Sequence, residues 1–133
     1  MVDLTPAETL AYLSEPGKDA IIASVNAQGQ PHAVPVWYTV DDGDIVFSTG
    51  YGGAKGRNLK ANPKIAVCVS QPDSPIMFVS IQGDAVEVTE VAEKRRLVAQ
   101  IMSKYGDPTP PEGELSDTFV VRVKARNTVA VRY

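Results

Sequence analysis

Short runs of apolar and β-branched residues, broken every few positions by glycine, proline, asparagine or aspartate, run through most of this chain. Residues 20–25, 34–40, 45–49, 65–69 and 76–88 have the length and composition of strands, and turn-forming residues separate them. Residues 118–123 and 128–131 read as two closing strands, with a turn at Ala125, Arg126 and Asn127. Asp41-Asp42-Gly43-Asp44 has the residues of a tight hairpin turn, which needs positive φ. The links between the first three strands are too short for parallel crossovers, so they form a meander. The run 65–69 is continuously apolar and predicts a strand buried on both faces. Gly83, inside the longest run, predicts a bulge or bend of the kind a small barrel needs to close.

Helical spacing occurs in three places. Thr5 followed by Pro6 and Glu8 predicts a capping box that opens a short helix, with Leu10 and Leu13 on its apolar side. Residues 54–61 suit two helical turns, which Asn62 and Pro63 would end. Thr89 would cap a longer helix over 90–104, with Val91, Val98, Ile101, Met102 and Tyr105 on one face. The Pro-rich stretch 107–111 reads as a loop. The expectation is a single mainly-β domain over residues 1–133, a six-to-seven-stranded antiparallel split β-barrel with short helices. Its open faces could be covered by a second copy.

Composition narrows the chemistry. A chain of 133 residues with 44% hydrophobic and 22% charged residues is ordinary for one globular domain. A net charge of -3 argues against a nucleic-acid surface. One cysteine, Cys68, rules out an intrachain disulfide, and its apolar setting predicts a buried, unreactive thiol. One His and one Cys cannot make the usual zinc site, and His32 has no Ser-His-Asp arrangement to join. No apolar run approaches the ~20 residues of a membrane span. The first residues show no basic-then-apolar leader, so the expected location is the cytoplasm.

One segment does suggest a ligand. Ser48 and Thr49 end a strand, a glycine-rich loop follows at 50–53, and Ala54, Lys55, Gly56, Arg57 and Asn58 open a helix. Hydroxyls, a close-approaching backbone, free helix N–H groups and two cations each favour an anion, and together they suit a phosphate. A solvated helix with ordinary basic residues explains the same string equally well.

The run QPHAVPVWY at residues 30–38, DGDIVFST at 42–49, KGRNLKANP at 55–63 and VSIQGDA at 79–85 resembles the flavin-binding core of the pyridoxamine 5′-phosphate oxidase-like superfamily. The most specific piece is K-x-R-N-L-x-x-N-P after a strand ending in Ser-Thr. The resemblance spans almost the whole chain. It implies an FMN-binding type of split barrel that forms a homodimer with two cofactor sites in the interface. It sets Val34, Pro35 and Val36 along the cofactor ring and Ser48 and Thr49 near its ribityl-phosphate. Lys55 matches the phosphate-binding lysine, with Ala54, Arg57 and Asn58 beside it. Met77 and Phe78 match a segment reaching the other subunit's cofactor. Trp37 reads as a packed aromatic and His32 as a surface residue at a strand start. Tyr51 would contact substrate or cover the cofactor.

Within that superfamily the chain is most similar to deazaflavin-dependent reductases that use coenzyme F420. It ends soon after its last strand, whereas the oxidases carry a longer arginine-bearing C-terminal region. The strongly anionic tail of F420 suits Lys55, Arg57 and Lys60. The implied function is an oxidoreductase passing a hydride from reduced F420 to an activated double bond or quinone in a small-molecule substrate. An FMN-dependent oxidoreductase of the same fold, and a non-enzymatic flavin or F420 storage module, are the alternatives.

Overall fold

The computed structural model describes residues 1–133. In chain order the elements are β1 (Val2–Asp3), α1 (Pro6–Ser14), β2 (Ala20–Val25), β3 (Pro31–Val36), β4 (Tyr38–Asp41) and β5 (Asp44–Gly50). α2 (Ala54–Ala61), β6 (Lys64–Ser70), β7 (Met77–Val88), α3 (Val91–Lys104) and β8 (Thr118–Arg132) follow. Every paired strand is antiparallel, in the order β3-β2-β6-β7-β8-β5-β4, with the two-residue β1 alongside β8. The outermost strands, β3 and β4, are consecutive in the chain and separated only by Trp37. One segment therefore pairs with β2 in its first half and with β5 in its second. That continuity curls the sheet into the expected split barrel.

Local chemistry explains the corners. Asp42 (φ 52°) and Gly43 (φ 80°) occupy the two central positions of the β4–β5 hairpin, the geometry that matches strand twist. Thr5 and Glu8 form the expected capping box, with Glu8 N donating to Thr5 Oγ1 at 3.1 Å and Thr5 N to Glu8 Oε1 at 2.9 Å. At Gly83 the β7–β8 register shifts, as the lone glycine suggested. A Cβ there would stand 2.2 Å from the Lys124 carbonyl oxygen, so only glycine lets β8 pass this close.

The interior is filled by Tyr12, Ile22, Tyr38, Phe47, Val67, Val69, Val79, Val121 and Val123 among others. A smaller cluster of Val46, Leu97, Ile101 and Val120 lies between the sheet and α3. Several details differ from expectation. β8 is one strand of 15 residues, because the bulge absorbs the irregularity that resembled a turn at 125–127. The segment expected as one strand over 34–40 breaks at Trp37. β6 alternates: Ile65, Val67 and Val69 are buried, but Ala66 and Cys68 on the other face are only half covered. In α1 the inward residues are Tyr12 and Leu13, while Leu10 faces outward. α3 is capped by the Glu90 side chain rather than Thr89, and Leu97 anchors its apolar face.

α3 is also tied down by charge. Asp41 accepts from Arg96 Nη1 at 2.9 Å and from Arg122 Nη2 at 2.7 Å, joining α3, the end of β4 and β8. Hydrogen bonds from Arg96 and then Arg122 hold the Asp41 carboxyl down to about 2. A carboxyl lowered on folding contributes stability above its ordinary range and loses that contribution as pH falls through the lowered value. Asp41→Asn should therefore cost stability at neutral pH and flatten the loss of stability between about pH 4 and pH 2. Urea midpoints over a pH series measure both; parallel curves for the two proteins would refute the linkage.

Candidate functional site

Strand alternation separates the first two candidates. Thr49 pairs with Phe119 of the interior cluster, and Ser48 pairs with Val120 of the cluster beneath α3. The two residues therefore address opposite faces at the end of β5. The loop at 50–53 then turns into α2.

That loop is held from several sides. Gly56, on the first turn of α2, packs directly on it: a Cβ there would stand 2.1 Å from the Gly50 carbonyl oxygen and 2.9 Å from Tyr51 Cα. Arg57 donates a guanidinium N–H to the Gly52 carbonyl. The Tyr51 ring stacks on Phe119 at 5.0 Å, and its hydroxyl donates to Glu87 on β7. Lys60 donates to the other Glu87 oxygen at 2.9 Å. The Tyr51 hydroxyl and Lys60 lower the Glu87 pKa, and the same Glu87 bond pushes Tyr51 up to about 12. Lys60, grouped with the anion-binding cations on sequence grounds, is thus committed to Glu87. Arg57 spends part of its guanidinium on the loop it follows.

Lys55 is different. Of the 13 lysines and arginines, 11 make a hydrogen bond or ion pair; the two that do not, by difference, are Lys55 and Arg132. Arg132 pairs across from Met77, at the end of β7 away from Glu87. Lys55 stands half-buried at the start of α2. The amides of Ala54, Lys55 and Gly56 precede the first helical hydrogen bond, from Arg57 N to the Gly53 oxygen at 3.0 Å. No side chain caps them, because the N-cap is Gly53. Open amides beside an uncommitted ammonium form an anion site, and this donor set fits a phosphate.

On the adjoining side, Asn58 Nδ2 donates to Ser24 Oγ at 3.1 Å, and Ser24 pairs across the strands with His32. Ser24 is fully buried, and His32 Nδ1 is a buried ring nitrogen without a hydrogen-bond partner. Sequence reasoning treated His32 as a surface residue and passed over Ser24. The β2–β3 register sets His32 across from Ser24, and the packing of α2 on β2 brings Asn58 to Ser24. A cavity of about 410 Å³ opens on the outer face of the sheet, lined by Ala23, Ala66 and Gln82 among others; it reaches Ser24 but neither Asn58 nor His32. Val34 and Val36 continue along β3, facing inward opposite Ile22 and Ala20, while Pro35 faces out beside Ile21. Met77 and Phe78 do not join the group. They open β7, whose other end carries Glu87, and Phe78 packs against Tyr133. Cys68 is half covered, and burial raises its thiol pKa, so it is a poor nucleophile as expected.

Comparison with known proteins agrees with the fold. The pyridoxamine 5′-phosphate oxidase family model matches residues 8–131. A curated pyridoxine/pyridoxamine 5′-phosphate oxidase of Pseudomonas fluorescens is 32% identical over 105 residues, covering 72% of this chain and 48% of its own length. The chain thus spans about half the length of this curated relative. Among solved structures, a conserved hypothetical protein from Mycobacterium tuberculosis has a TM-score of 0.88 at 24% identity, covering 98% of this chain and 86% of its own. An F420 reductase has a TM-score of 0.74 at 24% identity, covering 88% and 93% respectively. At that identity these two structures speak to the fold.

Gly56→Ala tests how the site is built. The added methyl meets backbone, which cannot rotate away, so α2 must lift off the loop. The expected loss of stability is about 1–3 kcal/mol in urea unfolding. An unchanged midpoint would mean that the close helix–loop contact is dispensable.

Proposed function

The chain belongs to the pyridoxamine 5′-phosphate oxidase family, and on that premise we propose that it is an F420-dependent oxidoreductase working as a homodimer. The uncommitted Lys55 beside the open amides of α2 carries this reading. It is a cationic site for the phosphate of the cofactor tail, and the tail's further carboxylates suit the free guanidinium edge of Arg57. Val34, Pro35 and Val36 would line the ring, with Ser48 or Thr49 near the ribityl chain. When bound, reduced F420 supplies a hydride to an activated double bond or quinone, and a proton from water completes the reduction. The protein's part is to hold the tail, orient the ring and keep bulk water from it. One of the fold neighbours bears the name F420 reductase, which favours the deazaflavin.

FMN is the second reading, favoured by the phosphate-oxidase relatives. Its single phosphate would use the same Lys55 site. Fluorescence titration with F420 and with FMN separates the two. Tighter binding of FMN, or no binding of F420, would overturn the first reading. Lys55→Ala should weaken cofactor binding by roughly 1.5–3 kcal/mol, about tenfold or more. Unchanged affinity would make Lys55 a surface lysine.

The dimer is supported by the outer face of the sheet. Ile21, Cys68, Ser80 and Val129 form one cross-strand row, and Ala23, Ala66 and Gln82 lie in the next. Ile21 and Val129 are 42% and 45% exposed in the single chain. A second copy laid on this face would cover the open side of β6 and could bring Met77 and Phe78 to its partner's cofactor. Sedimentation at micromolar concentration should give a dimer, and Ile21→Glu should shift it toward monomer. A monomeric parent protein would exclude the arrangement.

A further inference from the structure

Trp37 is the sole tryptophan of the chain, and it belongs to neither β3 nor β4. It occupies the break where the segment leaves β2 for β5. Tyr38 and Phe47 make the last rung of the β4–β5 ladder; Trp37 comes just before the one and Ser48 just after the other. Each stands one residue past the last rung, Trp37 against Tyr105 at the end of α3 and Ser48 across from Val120 of the cluster beneath α3, so both are on the side of the sheet that α3 covers.

The indole lies flat on Tyr105, with ring centroids 4.6 Å apart and planes 2° from parallel. Tyr105 is itself pinned. Its hydroxyl donates to the Lys18 carbonyl at 2.5 Å and accepts from Tyr38 N at 3.3 Å. The ring is also packed against the Leu97 and Ile101 cluster. Yet Trp37 remains 46% exposed. A rotamer fixed from below and open above is a preorganised aromatic surface, which binds a flat ring at little entropic cost. Indole is electron-rich, so it favours an electron-poor partner.

We propose that Trp37, stacked on Tyr105, is the platform on which the planar, electron-poor ring of an oxidised substrate such as a quinone lies. The assignment deepens the oxidoreductase reading and rests on it for the word substrate, but the surface itself does not depend on which cofactor binds. It places the substrate ring next to the Ser48 end of the candidate cofactor site and gives Trp37 a role beyond packing.

Because Trp37 is alone, its fluorescence reports the event directly. Titrating cofactor-free protein with 2-methyl-1,4-naphthoquinone should quench the emission saturably at micromolar concentration. Linear, unsaturable quenching equal to that of free N-acetyltryptophanamide would overturn the proposal. By calorimetry, Trp37→Leu should weaken quinone binding roughly two- to tenfold, while Trp37→Phe stays within about twofold, the range expected for one stacking partner. F420 and FMN affinities should be unchanged in Trp37→Leu. If they fall as far as the quinone affinity, the platform belongs to the cofactor ring and the proposal fails. If neither cofactor binds while the quinone still quenches saturably, the cofactor reading fails and the platform stands.

Discussion

The structure depends on one stretch of chain that must satisfy two sheet edges. β3 pairs with β2, β4 pairs with β5, and a single residue separates them. The sheet's two edge strands are β3 and β4, and without that covalent bridge they would lie apart as open edges, each a liability for unwanted pairing. With it, the sheet must curl, and the curl encloses Tyr38, Phe47 and the valines around them. The break at Trp37 is the geometric cost of changing partners. It opens the gap beside Ser48 and leaves an indole exposed there.

The site follows from the same curl. β5 ends at the gap, so the loop and helix that follow are delivered to it. The loop is then fixed by contacts from three elements: Gly56 of α2, Phe119 of β8 and Glu87 of β7. Electrostatic commitments decide what remains available. Most cations are bound to nearby acids or carbonyls, including Lys60 to Glu87 and Arg122 to Asp41. Lys55 keeps an uncommitted charge at a helix start, where the macrodipole already favours an anion. With every other lysine in an internal bond and Arg132 at the far end of β7, the free Lys55 ammonium is a specific feature rather than part of a basic patch.

Much of this was legible in the sequence because it depends on local rules. Strand runs, the Asp42-Gly43 turn, the Thr5–Glu8 capping box and the Gly83 bulge each follow from the conformational preferences of neighbouring residues. Those rules misjudged places where a distant partner decides. Residues 125–127 look like a turn until β7 is laid beside them. Residues 65–69 look buried on both sides until the sheet leaves one side open. At α3 the difference is local: Glu90, one residue on, accepts from Ala92 N and takes the cap expected of Thr89.

The same division holds for the site. The sequence alone determined that a Ser-Thr strand end, a glycine loop and a basic helix start occur together, since they are adjacent in the chain. By residue type Lys55, Arg57 and Lys60 all suit an anion, and only the family resemblance matched Lys55 to the phosphate-binding lysine. Only the tertiary structure set Lys60 apart, by bringing Glu87 to it from β7, while Arg57 turns back on the nearby Gly52 carbonyl. It also set Ser24 beside Asn58, and Tyr105 beneath Trp37, pairs 68 positions apart in the last case by their numbers. Contacts across such distances have no local signature, because they form only when the two sheet edges are joined.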